Sequence, residues 1–219
     1  MDNASVGDQL EIKATDAGFP RDAQAWCRTT GNKLITSEDS GGYHTVLIEK
    51  CPVSSQEDTP VKMSKNKTLI MFSDDLDKAL ATFVLANGAA ATGHKVTIFF
   101  TFWGLNVIKK ELKPVLKKDI FGKMFSWMLP SSSKKLHLSK MSMLGVGDKM
   151  MRHIMKTKNI NSLEELRQQA LASGVEFIAC QMSMDMMGIQ KEELLDGVTI
   201  GGVATYMERA EDANVNLFV

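Results

Sequence analysis

Apolar and polar positions along the chain fall into two regimes separated by a patternless stretch. Between Val6 and Lys50 the repeats are short. Gln9–Ala14 (QLEIKA) alternates with period two, Asp22–Thr30 (DAQAWCRTT) has helical spacing, and Gly31-Asn32 supplies a stop. Two further strands are expected at Lys33–Ser37 and Tyr43–Glu49, joined by a turn at Asp39-Ser40-Gly41-Gly42. These elements make a thin α+β unit that buries little apolar surface alone. Cys51–Asn66 has two prolines, three serines and no periodicity, so it reads as a linker.

From Lys67 to Val219 the pattern is that of a parallel α/β sheet. Thr68–Phe72 (TLIMF) is a continuous apolar run, as expected of a strand covered on both faces. Further strands are expected at Lys95–Phe100, Val175–Ala179, Val198–Ile200 and Val215–Val219. Helices should open at Ser73-Asp74-Asp75 and end at Gly93, run over Leu163–Ser173, and fill Gly202–Ala213. Ser162 and Glu165 are spaced as a capping box for the second of these. The alternation implies a doubly wound, mostly parallel five-stranded sheet with right-handed crossovers. A long insertion, 104–160, separates the second and third strands; it is rich in Met and Phe and broken at Leu129-Pro130-Ser131-Ser132-Ser133.

Charge changes this picture only locally. Lys plus Arg and Asp plus Glu are 26 each, so no overall field selects nucleic acid or a membrane. Residues 104–158 nevertheless carry 13 basic and 3 acidic side chains, against 3 and 10 for 161–219, which makes the insertion a basic surface. Its default role is a solvated face. A dock for an acidic partner comes second. Surface contact with anionic lipid through 119–140 comes third, where Phe121, Met124, Phe125, Trp127, Met128 and Leu129 adjoin Lys123 and Lys134-Lys135. Eleven of the 15 methionines lie between Met124 and Met187, a cluster suited to an adaptable subunit or partner interface. The longest apolar run, Val96–Ile108, is too short to span a bilayer. No apolar segment follows Met1, and three cysteines with no paired spacing suit a reducing compartment, so the cytoplasm is expected. No metal or cofactor motif is evident.

Ligands of open α/β sheets gather outside the carboxyl ends of the strands. Four segments end there: Ser73-Asp74-Asp75, Phe102-Trp103-Gly104, Cys180-Gln181-Met182 and Gly201-Gly202. Ser73, Asp74, Trp103, Gly104, Gly201 and Gly202 are therefore candidate substrate-binding positions. The two glycines precede a helix whose N–H groups could cradle an anion. Cys180 is the candidate reactive group. A thiol facing a helix N-terminus gains thiolate character relative to a free cysteine at about 8.5. Position alone leaves this open against a small buried hydrophobe. His94 and His153 are the candidate bases, Cys27 is expected in a core, and Cys51 is incidental.

Three stretches, KTLIMFSDDLDKALATFVLANGAAATGHKVTIFFTFWGL, GVEFIACQMSMDMMGI and GVTIGGVATYMERAEDANVNLFV, resemble the DsrE/DsrF-like proteins across 67–219. That resemblance implies a homo-oligomeric sulfur carrier holding a persulfide on the cysteine matching Cys180. Residues 6–50 resemble the later half of a TusA/SirA-like domain, without the first strand and the Cys-Pro-x-Pro helix that carry that family's thiol. Cys51-Pro52 follows the last strand and cannot replace it. The unit is then a structural remnant, or the chain is a piece of a longer fused protein.

The first functional expectation is a sulfur-relay carrier, closer to a sulfurtransferase partner than to a turnover enzyme. It would serve donor and acceptor proteins or small persulfides. The alternative is an oligomerisation or partner-binding module with a structural Cys180. A flavodoxin-like site for a nucleotide or coenzyme A near Trp103-Gly104 and Gly201-Gly202 ranks last.

Overall fold

The computed structural model describes residues 4–52, 66–111, 124 and 127–219. The chain forms a small three-stranded unit and a larger five-stranded α/β unit. In the first, β1 (Gln9–Ala14), β2 (Lys33–Ser40) and β3 (Tyr43–Glu49) pair antiparallel in the order β1-β3-β2. Helix α1 (Phe19–Thr30) crosses one face of them. Pro20 suits its first turn, and Gly31 closes it in the left-handed conformation. Ala23, Cys27, Val46 and Ile48 make a small core. So thin a layer gains support elsewhere: α1 also packs along the last helix of the larger unit.

The larger sheet has the order β7-β6-β5-β4-β8 and is parallel throughout. Its strands are β4 (Asn66–Met71), β5 (Val96–Phe100), β6 (Glu176–Cys180), β7 (Thr199–Gly201) and β8 (Ala213–Phe218). All five residues of β5 are buried, which is why VTIFF reads as an unbroken apolar run. The connecting helices are α2 (Leu76–Ala91), α3 (Val146–Thr157), α4 (Leu163–Ala172), α5 (Gln181–Met187) and α6 (Val203–Glu211). The α/β class, the sheet and the small α+β unit agree with the sequence expectation.

Strand alternation sorts the sheet into two faces. Leu69, Met71, Ile98, Phe100, Phe177 and Ala179 join the main core with α2 and α4. Phe83 of α2 meets Phe100 and Phe177 at ring-centroid distances of 6.3 and 5.7 Å. Burying each such ring stabilises by roughly 2–3 kcal/mol. On the opposite face Phe99, Ile178 and Cys180 pack with Tyr206 of α6. Among the described residues, α6 is the helix of the larger unit that packs on that face, and α1 of the small unit packs along α6.

Several boundaries differ from the sequence reading, and one difference matters. The third strand runs to Cys180 instead of stopping at Ala179, and α5 begins at once with Gln181. Phe102–Ile108 forms a 3-10 turn leading into the insertion, and within the insertion α3 is a helix that the sequence reading does not name. Its outward face carries Val146, Met150 and Ile154, so apolar residues point both ways. The insertion is tied to the body: Ser139 N donates to Asp77 (2.8 Å), and Leu76 N donates to His137 O (2.7 Å). Residues 53–65 of the expected linker Cys51–Asn66, and 112–123 and 125–126 of the insertion, lie outside the described residues.

Candidate functional site at the carboxyl edge of the sheet

The carboxyl ends of β4 to β7 are bound into one rim. Thr101 N donates to Met71 O (3.1 Å), Gly104 N to Phe72 O (2.8 Å), and both Phe72 N and Ser73 N reach Val219 O. From this rim hang two groups of the predicted residues. Ser73, Asp74, Trp103 and Gly104 cluster where β4 and β5 end; Cys180, Gly201 and Gly202 cluster where β6 and β7 end. A hydrogen bond between Thr101 Oγ1 and Ser183 Oγ (2.8 Å) joins the groups, with Ser183 fully buried. Thr101 and Ser183 are absent from the sequence-based set. Their only signal is a lone hydroxyl within an otherwise apolar surrounding.

Cys180 is both the last residue of β6 and the N-cap of α5, and it is 2% exposed. It pairs in register with Gly201 of β7. Its neighbours Phe99, Ile178 and Tyr206 form an apolar wall. A Cβ on Gly201 would lie 3.0 Å from Ile178 Cγ2 and 3.2 Å from Thr205, so glycine lets these two side chains approach β7 closely.

The anion seated on the Gly202 turn is the chain's own. Asp22 Oδ1, from α1 of the small unit, accepts from Gly202 N (3.0 Å), Thr205 N (3.2 Å) and Thr205 Oγ1. Asp22 thus caps α6 from 180 residues away. A Cβ on Gly202 would lie 2.0 Å from Asp22 Oδ2, so a larger residue here would push the carboxylate from this seat. The same interface carries an ion pair between Arg28 and Glu208. Any external anion at Gly201-Gly202 has to displace Asp22.

At the other end of the rim, Asn106 Nδ2 donates to Asp74 Oδ2 (2.9 Å). Asn106 is fully buried, and its Oδ1 has no partner among the described residues. Burial pushes the Asp74 carboxyl above its ordinary range, against smaller lowering influences from Asn106 and Lys109. A folded-state value raised above the unfolded one means that folding binds a proton in that window. Stability therefore falls as pH rises through it. Asp74→Asn removes the buried charge and keeps an acceptor, so it should raise stability at neutral pH by up to about 1 kcal/mol. Thermal melts at several pH values check this, because the gain should vanish once pH falls below the unfolded value. Ser73, by contrast, turns inward to its own loop, donating to Asp75 Oδ2 (2.8 Å). Trp103 is 43% exposed at the rim. Gly104 is a close-approach position: a Cβ there would lie 2.0 Å from Met71 O.

The remaining candidates are dispersed. His94 lies in the turn before β5, at the amino edge of the sheet, with Nδ1 buried and unpartnered among the described residues. His153 is exposed on α3. Cys27 belongs to the core of the small unit, and burial raises its thiol pKa, with Cys51 adding to the effect. Cys51 N accepts no role in the rim; it donates to Asn32 Oδ1 (3.1 Å).

The model of the DsrE/DsrF/DrsH-like family matches residues 63–218, which include the residues of this rim except Val219 and, from the small unit, Asp22 and its turn. The chain belongs to the DsrE/DsrF/DrsH-like family. A second model, that of the sulfurtransferase TusA, matches residues 1–50. The uncharacterized protein YrkE of Bacillus subtilis is 46% identical over 158 residues, covering 72% of this chain and 99% of YrkE. The protein named sulfur carrier protein DsrE2 of Allochromatium vinosum is 36% identical over 159 residues, covering 71% of this chain and 98% of DsrE2. For the small unit, the protein named sulfur carrier protein TusA of the same organism is 41% identical over 46 residues. That match covers 21% of this chain and 60% of TusA, so about two fifths of a TusA has no counterpart in the match.

Proposed function

We propose that this DsrE/DsrF/DrsH-like protein acts in sulfur relay, carrying sulfane sulfur as a persulfide on Cys180. One observation carries the reading: the larger unit's one cysteine ends a strand at the carboxyl edge, at the junction with a unit matching a second kind of sulfur carrier. The relatives named as sulfur carriers support the general role. In the transfer step the Cys180 thiolate attacks the terminal sulfur of a donor persulfide. A new Sγ–S bond forms as the donor's S–S bond breaks, and the donor leaves as a thiolate. Sulfur moves at an unchanged oxidation level, so no oxidant is consumed. An acceptor thiolate repeats the exchange in reverse. Donor and acceptor are other carrier proteins or small persulfides, and the protein has little turnover of its own.

Ser73, Asp74, Trp103, Gly104, Gly201 and Gly202 frame this proposed site at the rim, with Gly104 and Gly202 setting backbone approach instead of holding substrate. A homo-oligomer fits the open edge of the sheet at β8, where Phe218 is 67% exposed with its ring 5.7 Å from that of Phe72. The membrane-surface contact proposed for 119–140 has support from Trp127 and Met128, 87% and 65% exposed; residues 119–123, 125 and 126 lie outside the described residues. Among the described residues no helix is long and apolar enough to cross a membrane. A cytoplasmic site of action is part of the proposal.

The second reading, a binding or assembly module, draws on the 2% exposure of Cys180 and its apolar wall. Transfer separates the two. Protein preloaded with radiolabelled sulfane sulfur should pass the label to a TusA-type acceptor in a reductant-sensitive form. No label on the acceptor, with Cys180 slow to alkylate, favours the assembly reading.

A further inference from the structure

We infer that the small unit is a latched cover over Cys180, and that its Asp22 carboxylate is the latch. The inference deepens the sulfur-carrier reading, because it takes Cys180 as the reacting atom. A thiol that exchanges sulfur with a second protein has to meet another sulfur atom, yet Cys180 is 2% exposed. The turn leading into α1 rests on the residues that flank it. A Cβ on Gly18 would lie 3.4 Å from Gln181 Cβ and 3.7 Å from the carbonyl carbon of Gly201. Gln181 follows Cys180 in the chain, and Gly201 is its partner in the sheet.

The directional bonds that hold this turn across the two units are polar, beside the packing of α1 along α6. Asp22 Oδ1 takes three hydrogen bonds from Gly202 and Thr205, and Arg28 pairs with Glu208 further along α6. The apolar contribution beside the latch is incomplete. An open groove of about 550 Å³ lies between Leu10, Ile12, Phe19 and Trp26 of the small unit and Ala204 of α6. The cap and the ion pair can release without unfolding either core, because solvent can replace each bond. When the latch opens, α6 keeps its backbone while its first N–H groups become free, and the space beside Cys180 opens toward a partner.

Gly202 gives the inference a sharp test. Its φ of −112° is open to any residue, so alanine there strains no backbone. The added Cβ would nevertheless collide with the Asp22 carboxylate at 2.0 Å. Asp22→Ala and Gly202→Ala should therefore unlatch the same contact by different routes. The experiment is peptide-resolved N-ethylmaleimide labelling of Cys180 in the full chain, well below the Tm of each variant. Each single variant should label on the order of tenfold faster than the unsubstituted protein, as expected on losing a helix cap of this kind. The double variant should label no faster than Asp22→Ala alone, because the collision partner is gone. Equal rates in the unsubstituted protein and Asp22→Ala, or gains that multiply in the double variant as general destabilisation would give, overturn the inference. Labelling reads access and not sulfur chemistry. If the variants label faster but none takes up sulfur, the cover stands and the carrier reading falls. If all load sulfur and label alike, the reverse holds.

Discussion

Replacing Cys180 with serine is expected to reduce sulfane-sulfur uptake from one atom per chain to none, with both sheets intact. The loss is complete because the reaction is the formation of a bond to this sulfur; an alcohol at the same place does not attack a persulfide at neutral pH. The cost to the fold is modest. The new hydroxyl faces Phe99, Ile178 and Tyr206, and an uncompensated hydroxyl in such a setting costs about 1–3 kcal/mol. In a chain of this size that lowers Tm by about 2–4 °C per kcal/mol. Cys27 and Cys51 remain as internal controls, one buried in the core of the small unit and one half-buried beyond β3. Uptake by the serine variant at the unsubstituted level would locate the chemistry on one of them.

The largest stability effect is expected at Gly104. A single methyl there would sit 2.0 Å from the carbonyl oxygen of Met71, and the atom in the way is backbone, which cannot turn aside. The turn is already strained, since Phe102 two residues earlier holds φ at +47°. It also carries the hydrogen bonds from Gly104 N to Phe72 O and Thr101 O. Gly104→Ala should therefore cost about 3 kcal/mol or more, lowering Tm by about 6–12 °C. Sulfur uptake measured well below the lowered Tm should persist, because the effect is on the rim between β4 and β5 and not on the thiol. An unchanged Tm would show that the turn is looser than its geometry says.

The strands were legible wherever both faces are buried. VTIFF and TLIMF appear in sequence as apolar runs because the main core takes one set of alternate residues and the α6 face takes the other. The Ser162/Glu165 capping box was legible because it is local, and both of its reciprocal bonds form. What was not legible depends on distance in the chain. Nothing near Asp22 marks it as the cap of a helix starting at Val203, and a glycine pair before a helix invites an external anion in its place. Asn106 had a signal, a single amide inside FWGLNVI, but its bond to Asp74 joins residues 32 apart. Helix α3 does have a helical period, in Val146, Met150, Met151, Ile154 and Met155, but it lies inside the long insertion, whose breaks at 129–133 and short neighbouring turns hide it. Cys180 itself was placed at a strand end, although its burial could not be foreseen, since Phe99, Ile178 and Tyr206, which wall it in, come from three separate elements.

The most direct test of the account is intact-protein mass spectrometry after incubation with polysulfide, combined with peptide mapping. The account predicts a reductant-reversible gain of one sulfur atom per chain, mapped to the peptide carrying Cys180 and absent from Cys180→Ser. No gain in mass, or a gain mapped to Cys27 or Cys51 that survives in Cys180→Ser, would contradict it.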